Sequence, residues 1–180
     1  MAVDGLAGAP DGWQRLWAPH RMAYLRGENR PDVSGDGNEC PFCRVPRLSN
    51  EEGLIVARGE HVYAVMNLYP YNAGHILICT YRHVAEYTDI TDPERDEMAL
   101  FTQRAMLALR EAAGAQGFNL GMNQGALSGA GVAPHIHQHI VPRWSGDANF
   151  MPIIGQTKVL PALLEDTRDL ITQAWPIKSR

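Results

Sequence analysis

The chain has 180 residues, a formal net charge of −4, 45% hydrophobic and 20% charged residues, which is the size and composition of one folded domain with terminal elaborations. Its acidic balance excludes a global positive field for nucleic-acid backbones or anionic lipid, so an anionic ligand must be held by local groups. No apolar run nears the roughly 20 residues of a membrane span, and the N-terminus has neither a basic n-region nor an apolar h-region, so a cytoplasmic location is expected.

Residues 12–27 carry Trp13, Leu16, Trp17, Met22 and Leu25 at loosely helical spacing broken by Pro19, which predicts a short helical arm. Turn formers and acids dominate 28–39, a loop; together these make an N-terminal elaboration over 1–39, ahead of a principal domain over 40–150. Cys40 and Cys43 open that domain in C-x-x-C spacing. With Cys79 they make three cysteines, so a disulfide framework is not expected and metal or redox use of the pair is open.

From residue 54 the pattern is β: "LIVA", "HVYAVMNL" and "HILICTY", with "YPYNAG" as the turn between the last two, which predicts adjacent antiparallel strands. Over 91–115 a helix is predicted, with Thr91 and Glu94 in capping-box spacing, Pro93 in the first turn, and Met98, Phe101, Met106 and Leu109 on one face. "FNLGMNQ" and "HIHQHIVPR" are two further strands, joined by the small-residue loop "GALSGAGVAP". A last helix follows in the C-terminal extension over 151–180. Strands, helix and strands in this order give an α+β fold with a largely antiparallel sheet.

His135, His137 and His139 occupy alternate positions of the last strand, so all three face one side while Ile136, Gln138 and Ile140 face the other. A buried neutral imidazole needs partners for both nitrogens and resists protonation, so three in line point to function. They could ligate a catalytic metal, or one could attack phosphorus while its neighbours stabilise the anion. Upstream, "NQGALSGAG" supplies Asn123, Gln124, Ser128 and small residues whose backbone N–H groups can approach a phosphate, which suits phosphoanhydride chemistry.

The H-φ-H-x-H-φ-φ pattern followed by "PRW", with "NLYPYNAGHILIC" and "MNQG" upstream, resembles the signature of the histidine triad (HIT) superfamily over roughly residues 40–150. It is most similar to the fragile histidine triad hydrolases and bacterial diadenosine tetraphosphate phosphorylases; the stretch "PRWSGDANFMPIIGQTKVLP" leans toward the latter. The resemblance implies a HIT fold, a homodimer or higher homo-oligomer, and cleavage of a dinucleoside polyphosphate through a nucleotidyl-histidine. It puts the nucleophile on His137. His139 and Asn123 would stabilise the phosphate and leaving oxygen, with Gln124, Ser128, Gly129, Ala130 and Gly131 around the phosphate and His75 behind the triad. Asn67 would bind the ribose, and the base would lie near Leu68 and Pro70.

A zinc-bearing subgroup of that superfamily uses two cysteines, a histidine after a strand and the first triad histidine. The resemblance therefore implies a closed, structural zinc site at Cys40, Cys43, His83 and His135. Three departures stand out: a loop between Asn123 and His135 one residue longer than in the fragile histidine triad enzymes, small residues at 129–131, and Gln138 in place of an apolar residue. Phosphorolysis, giving ADP and ATP, is the favoured second half-reaction, with hydrolysis by water of a dinucleoside polyphosphate or a nucleoside phosphoramidate as the alternative. A metallohydrolase and a non-catalytic zinc-containing nucleotide-binding module are the rivals from other classes.

Overall fold

The computed structural model describes residues 40–128, 131–147 and 162–176. The expected helical arm and loop over 1–39, Gly129, Ala130 and residues 148–161 lie outside them. Five strands, β1 (Ile55–Arg58), β2 (Val62–Met66), β3 (Ile76–Thr80), β4 (Gly117–Met122) and β5 (His137–Arg143), form one sheet in the order β1-β2-β3-β5-β4. Every neighbouring pair is antiparallel. All residues of β2 and β3 are buried, which is why their sequences are continuous apolar runs without polar alternation.

One face of the sheet carries Val62, Ala64, Met66, Ile76, Ile78 and Ile140 into the main core. Helix α2 (Asp92–Ala113) covers it, and α3 (Leu164–Gln173) adds Ile171. The opposite face carries Tyr63, Val65, Leu77 and Cys79 against Phe42 and Val45, from the short helix α1 (Pro41–Arg44) and the turn after it. The part of the C-terminal extension that is described therefore shares the main core: Thr172 Oγ1 also donates to the Val56 carbonyl at 3.3 Å.

Thr91 and Glu94 form the reciprocal capping box at the start of α2, and Gly114 ends the helix at φ 61°, a left-handed conformation that favours glycine. The inward face is Met98, Phe101, Ala105, Ala108 and Leu109, whereas Met106 is half-buried. Met106 lies one position, about 100° around the helix, from Ala105, and the small Ala105 and Ala108 let the helix lie close to the sheet.

The histidine strand is shorter than expected. Pairing begins at His137, opposite Cys79, and His135 precedes it. At Ile136 the backbone N–H donates to the Val84 carbonyl at 2.7 Å, so the chain leaves the β3 ladder for the segment that follows β3.

That segment is fixed at Arg82, whose Nε and Nη2 donate to Glu94 Oε1 and Oε2 at 3.0 and 2.7 Å. Arg82, aided by the Thr91 N–H and hydroxyl, holds the Glu94 carboxyl down at about 2 against the opposing effect of burial. A depressed folded-state pKa stabilises above the ordinary carboxylate range, and this contribution is lost as pH falls through that range toward 2. Glu94→Gln is expected to lower the melting temperature at pH 7 by about 3–6 °C and to flatten its fall between about pH 5 and 2. Thermal unfolding across pH checks this, and an unchanged acid slope would rule it out.

Candidate active site

The β3–β5 register sets Cys79 beside His137 and Leu77 beside His139, on the sheet face away from α2. His137 is 6% exposed. The Phe42 ring lies 4.8 Å from its ring and 5.6 Å from that of His135. His137 Nδ1 lies 2.8 Å from the carbonyl of His135, an acceptor that only an N–H can satisfy. The proton is thus on Nδ1 and the lone pair on Nε2. Burial pushes the imidazole pKa below its ordinary value, so the ring is neutral at pH 7.

His139 is set by a relay. The Tyr71 backbone N–H donates to His75 Nδ1 at 3.0 Å, which leaves His75 to donate from Nε2 to His139 Nδ1 at 2.9 Å. His139 therefore carries its own proton on Nε2, a buried atom that meets no hydrogen-bond partner among the described residues. Burial, with His137 beside it, pushes the pKa of His139 down to about 4. A buried N–H without a partner, beside an imidazole with a lone pair, suits an incoming oxyanion. The Tyr71 ring stacks on His139 at 5.5 Å and 17°.

His135 is turned to a different purpose. Its Nε2 donates to the Thr80 carbonyl at 3.0 Å, which leaves the Nδ1 lone pair 3.4 Å from Cys40 Sγ and 3.5 Å from Cys43 Sγ. His83 Nδ1 is 3.3 Å from Cys43 Sγ, and the four ligand atoms all lie within 4.8 Å of one another. A tetrahedral centre with metal–sulfur bonds of about 2.3 Å and metal–nitrogen bonds of about 2.05 Å has edges of about 3.3–3.8 Å. The donor set fits a metal ion. Burial and the neighbouring Cys40 hold the Cys43 thiol up at about 11, a preference that a cation among the ligands reverses.

The remaining expected site residues divide. Asn67, half-buried, donates from Nδ2 to His75 Nδ1 at 3.2 Å and accepts the Tyr69 N–H at 3.0 Å, which puts it beside the relay. On β4, Asn119 and Gly121 stand opposite Val141 and His139, and Asn123 follows in the same alternation, one residue past the end of the strand. Gln124 turns its amide to residues 85–87, and Ser128 Oγ donates to the Gly125 carbonyl at 2.8 Å. Gly131 lies in the turn before His135.

Gln138 is on the opposite face, as alternation requires, where it helps line a cavity of about 390 Å³ with Tyr87, Met98 and Thr102. Arg143 pairs with Asp147 at 2.6 Å and Trp144 Nε1 donates to the Ala113 carbonyl, so both close the end of β5. Sequence reasoning missed Phe42, Tyr71 as the relay's anchor, and the Thr80 carbonyl. Only Phe42 left a signal: lying between the cysteines, it must accompany them to His135.

Residues 49–146 match the HIT domain. A protein named AP-4-A phosphorylase from Mycobacterium tuberculosis (strain ATCC 25618 / H37Rv) is 49% identical over 96% of this chain and 89% of its own length. A protein of Arabidopsis thaliana named bifunctional bis(5'-adenosyl)-triphosphatase/adenylylsulfatase FHIT is 36% identical over 47% of each chain. Among solved structures, a Zn-bound histidine triad family protein from Mycobacterium smegmatis matches with a TM-score of 0.62 at 25% identity, over 77% of this chain and 94% of that one. With the domain match spanning more than half its length and the triad in place, this chain belongs to the HIT family.

Proposed function

We propose that this protein cleaves dinucleoside polyphosphates such as diadenosine tetraphosphate by nucleotidyl transfer to His137, with inorganic phosphate as the second acceptor. The observation that carries this reading is the paired proton placement: a lone pair on His137 Nε2 beside an unpartnered N–H on His139 Nε2. The 49% identical AP-4-A phosphorylase supports it. His137 Nε2 attacks the α-phosphorus of one nucleotide, the bond to the bridging oxygen breaks, and ATP leaves. Phosphate then attacks the nucleotidyl-histidine, so that the P–N bond breaks, ADP forms and His137 is restored.

His139 Nε2–H donates to the phosphate and its leaving oxygen, and Asn123 adds a second donor; each such group is worth on the order of 10²-fold or more in rate. His75 fixes the tautomer of His139. Asn67 holds the ribose hydroxyls, and Ser128 and Gly131 lie along the phosphate; Gly129 and Ala130, expected from the sequence to share that role, lie outside the described residues. The three triad rings each turn to a different partner, the cysteines, the His135 carbonyl and His75, which counts against a shared catalytic metal.

Zinc is the metal proposed for Cys40, Cys43, His83 and His135, a donor set it favours. Four protein ligands leave it no open position, so it pins α1 and the Phe42 ring beside the triad. Helix α2 is the longest among the described residues, and none of these helices is long and apolar enough to cross a membrane, in keeping with a cytoplasmic enzyme. The edge of β4, where Leu120 is 47% exposed, and the neighbouring face of α2 would pair with a second copy as a homodimer.

Product analysis tests the acceptor. With diadenosine tetraphosphate, ADP and ATP are expected in equal amounts when phosphate is present, with little turnover in its absence. AMP and ATP formed at a rate indifferent to phosphate would assign water as the acceptor instead.

A further inference from the structure

The segment after β3 is a junction. Thr80 and Val84 offer their carbonyls to His135 Nε2 and the Ile136 N–H, His83 is one of the four clustered metal-ligand candidates, and Arg82 is clamped by Glu94. One more side chain reaches this segment from across the site. Gln124 Oε1 accepts the Tyr87 N–H at 2.8 Å, and Gln124 Nε2 donates to the Ala85 carbonyl at 3.3 Å. A primary amide is suited to this because it offers an acceptor and a donor in one plane, matched to an N–H and a C=O of one backbone turn.

Gln124 also sits immediately after Asn123 and immediately before Gly125, whose φ of 73° turns the chain toward Ser128. Both ends of the amide are therefore committed to backbone, and what it holds in place is its own main chain. We infer that Gln124 is a positioning residue: a strut that ties the His83-bearing segment to Asn123 and so fixes the phosphate side of the site relative to the triad. The sequence alone suggests a phosphate-binding role for this residue, and the geometry assigns it a different one. Order at the metal-ligand cluster and order at Asn123 are then linked through residues 85–87.

The turn after Asn123 is thus held at its start by an amide bonded at both ends and at its end by Ser128, whose hydroxyl donates to the Gly125 carbonyl at 2.8 Å. Misplacing a donor by about 1 Å is enough to cost on the order of 10²-fold in rate, so a tether one residue from Asn123 has a kinetic consequence.

The inference rests on the proposed nucleotidyl transfer, and the experiment separates the two. In the full-length protein, Gln124→Ala is expected to lower kcat for diadenosine tetraphosphate by about 10- to 100-fold with the dinucleotide KM within about twofold of wild type. Amide exchange at Tyr87 should accelerate, and a chelator should extract bound metal several-fold faster. Gln124→Glu, which keeps the acceptor for the Tyr87 N–H and loses the donor to Ala85, should recover part of the kcat and of the Tyr87 protection. A lowered melting temperature with kcat unchanged would overturn the inference, as would Tyr87 exchange identical in wild type and Gln124→Ala. A wild-type protein that turns over no dinucleotide would overturn the reaction instead, leaving the exchange and metal-extraction rates to judge the strut.

Discussion

His137→Ala is expected to abolish the covalent nucleotidyl adduct and to lower turnover by on the order of 10⁵-fold, the scale seen when a nucleophile is deleted from a site whose members act as a unit. The reason lies in the proton placement. His137 donates its Nδ1–H to the His135 carbonyl and is pushed by burial to the neutral form, so Nε2 is nucleophilic at pH 7 without a base to activate it. The two other triad rings offer no equivalent lone pair: His139 Nδ1 is occupied by His75, and His135 Nδ1 faces the cysteines. Incubation with dinucleotide labelled at the α-phosphorus, followed by denaturation, should give an acid-labile, base-stable adduct on wild type and none on the variant. The same adduct on both proteins would remove His137 from the mechanism.

Cys40→Ser is expected to abolish binding of the metal proposed for this cluster and to cost much of the stability, with a melting temperature lower by about 10 °C or more. Loss of a structural metal ligand exposes the remaining thiol and imidazoles to an unfavourable buried arrangement, at a cost of several kcal/mol, and each kcal/mol shifts the transition by about 2–4 °C in a chain of this size. Cys40 is 2% exposed and belongs to the four-residue cluster, so its sulfur has no solvent to fall back on. Metal content by elemental analysis and thermal unfolding with and without chelator check the expectation. A wild-type protein that carries no metal and is indifferent to chelation would sink it.

The α+β sheet and its faces were legible in the sequence because they follow from short-range rules. The Thr91–Glu94 capping box marked the start of α2 to the residue, and alternation placed His137 and His139 opposite Gln138. Legibility stopped where a long-range partner decides. His135 looked like the first residue of its strand, but Val84 captures the Ile136 N–H and the ladder starts two residues later. Met106 fits a helical stripe by spacing, yet the stripe is centred on Ala105, whose smallness matters only once the sheet lies against it. The roles of Gln124 and Tyr71 depend on backbone groups that sequence spacing does not reveal.

Main-chain atoms bear on the tautomer of both rings: the carbonyl of residue 135 for His137, and for His139 the amide of residue 71, which acts through His75 together with Asn67 Nδ2. Any residue at position 71 except proline, which has no N–H, still offers that donor to His75 provided the local trace is kept. Insertions or deletions between the second and third strands, which displace that trace, would by contrast carry the donor away from His75.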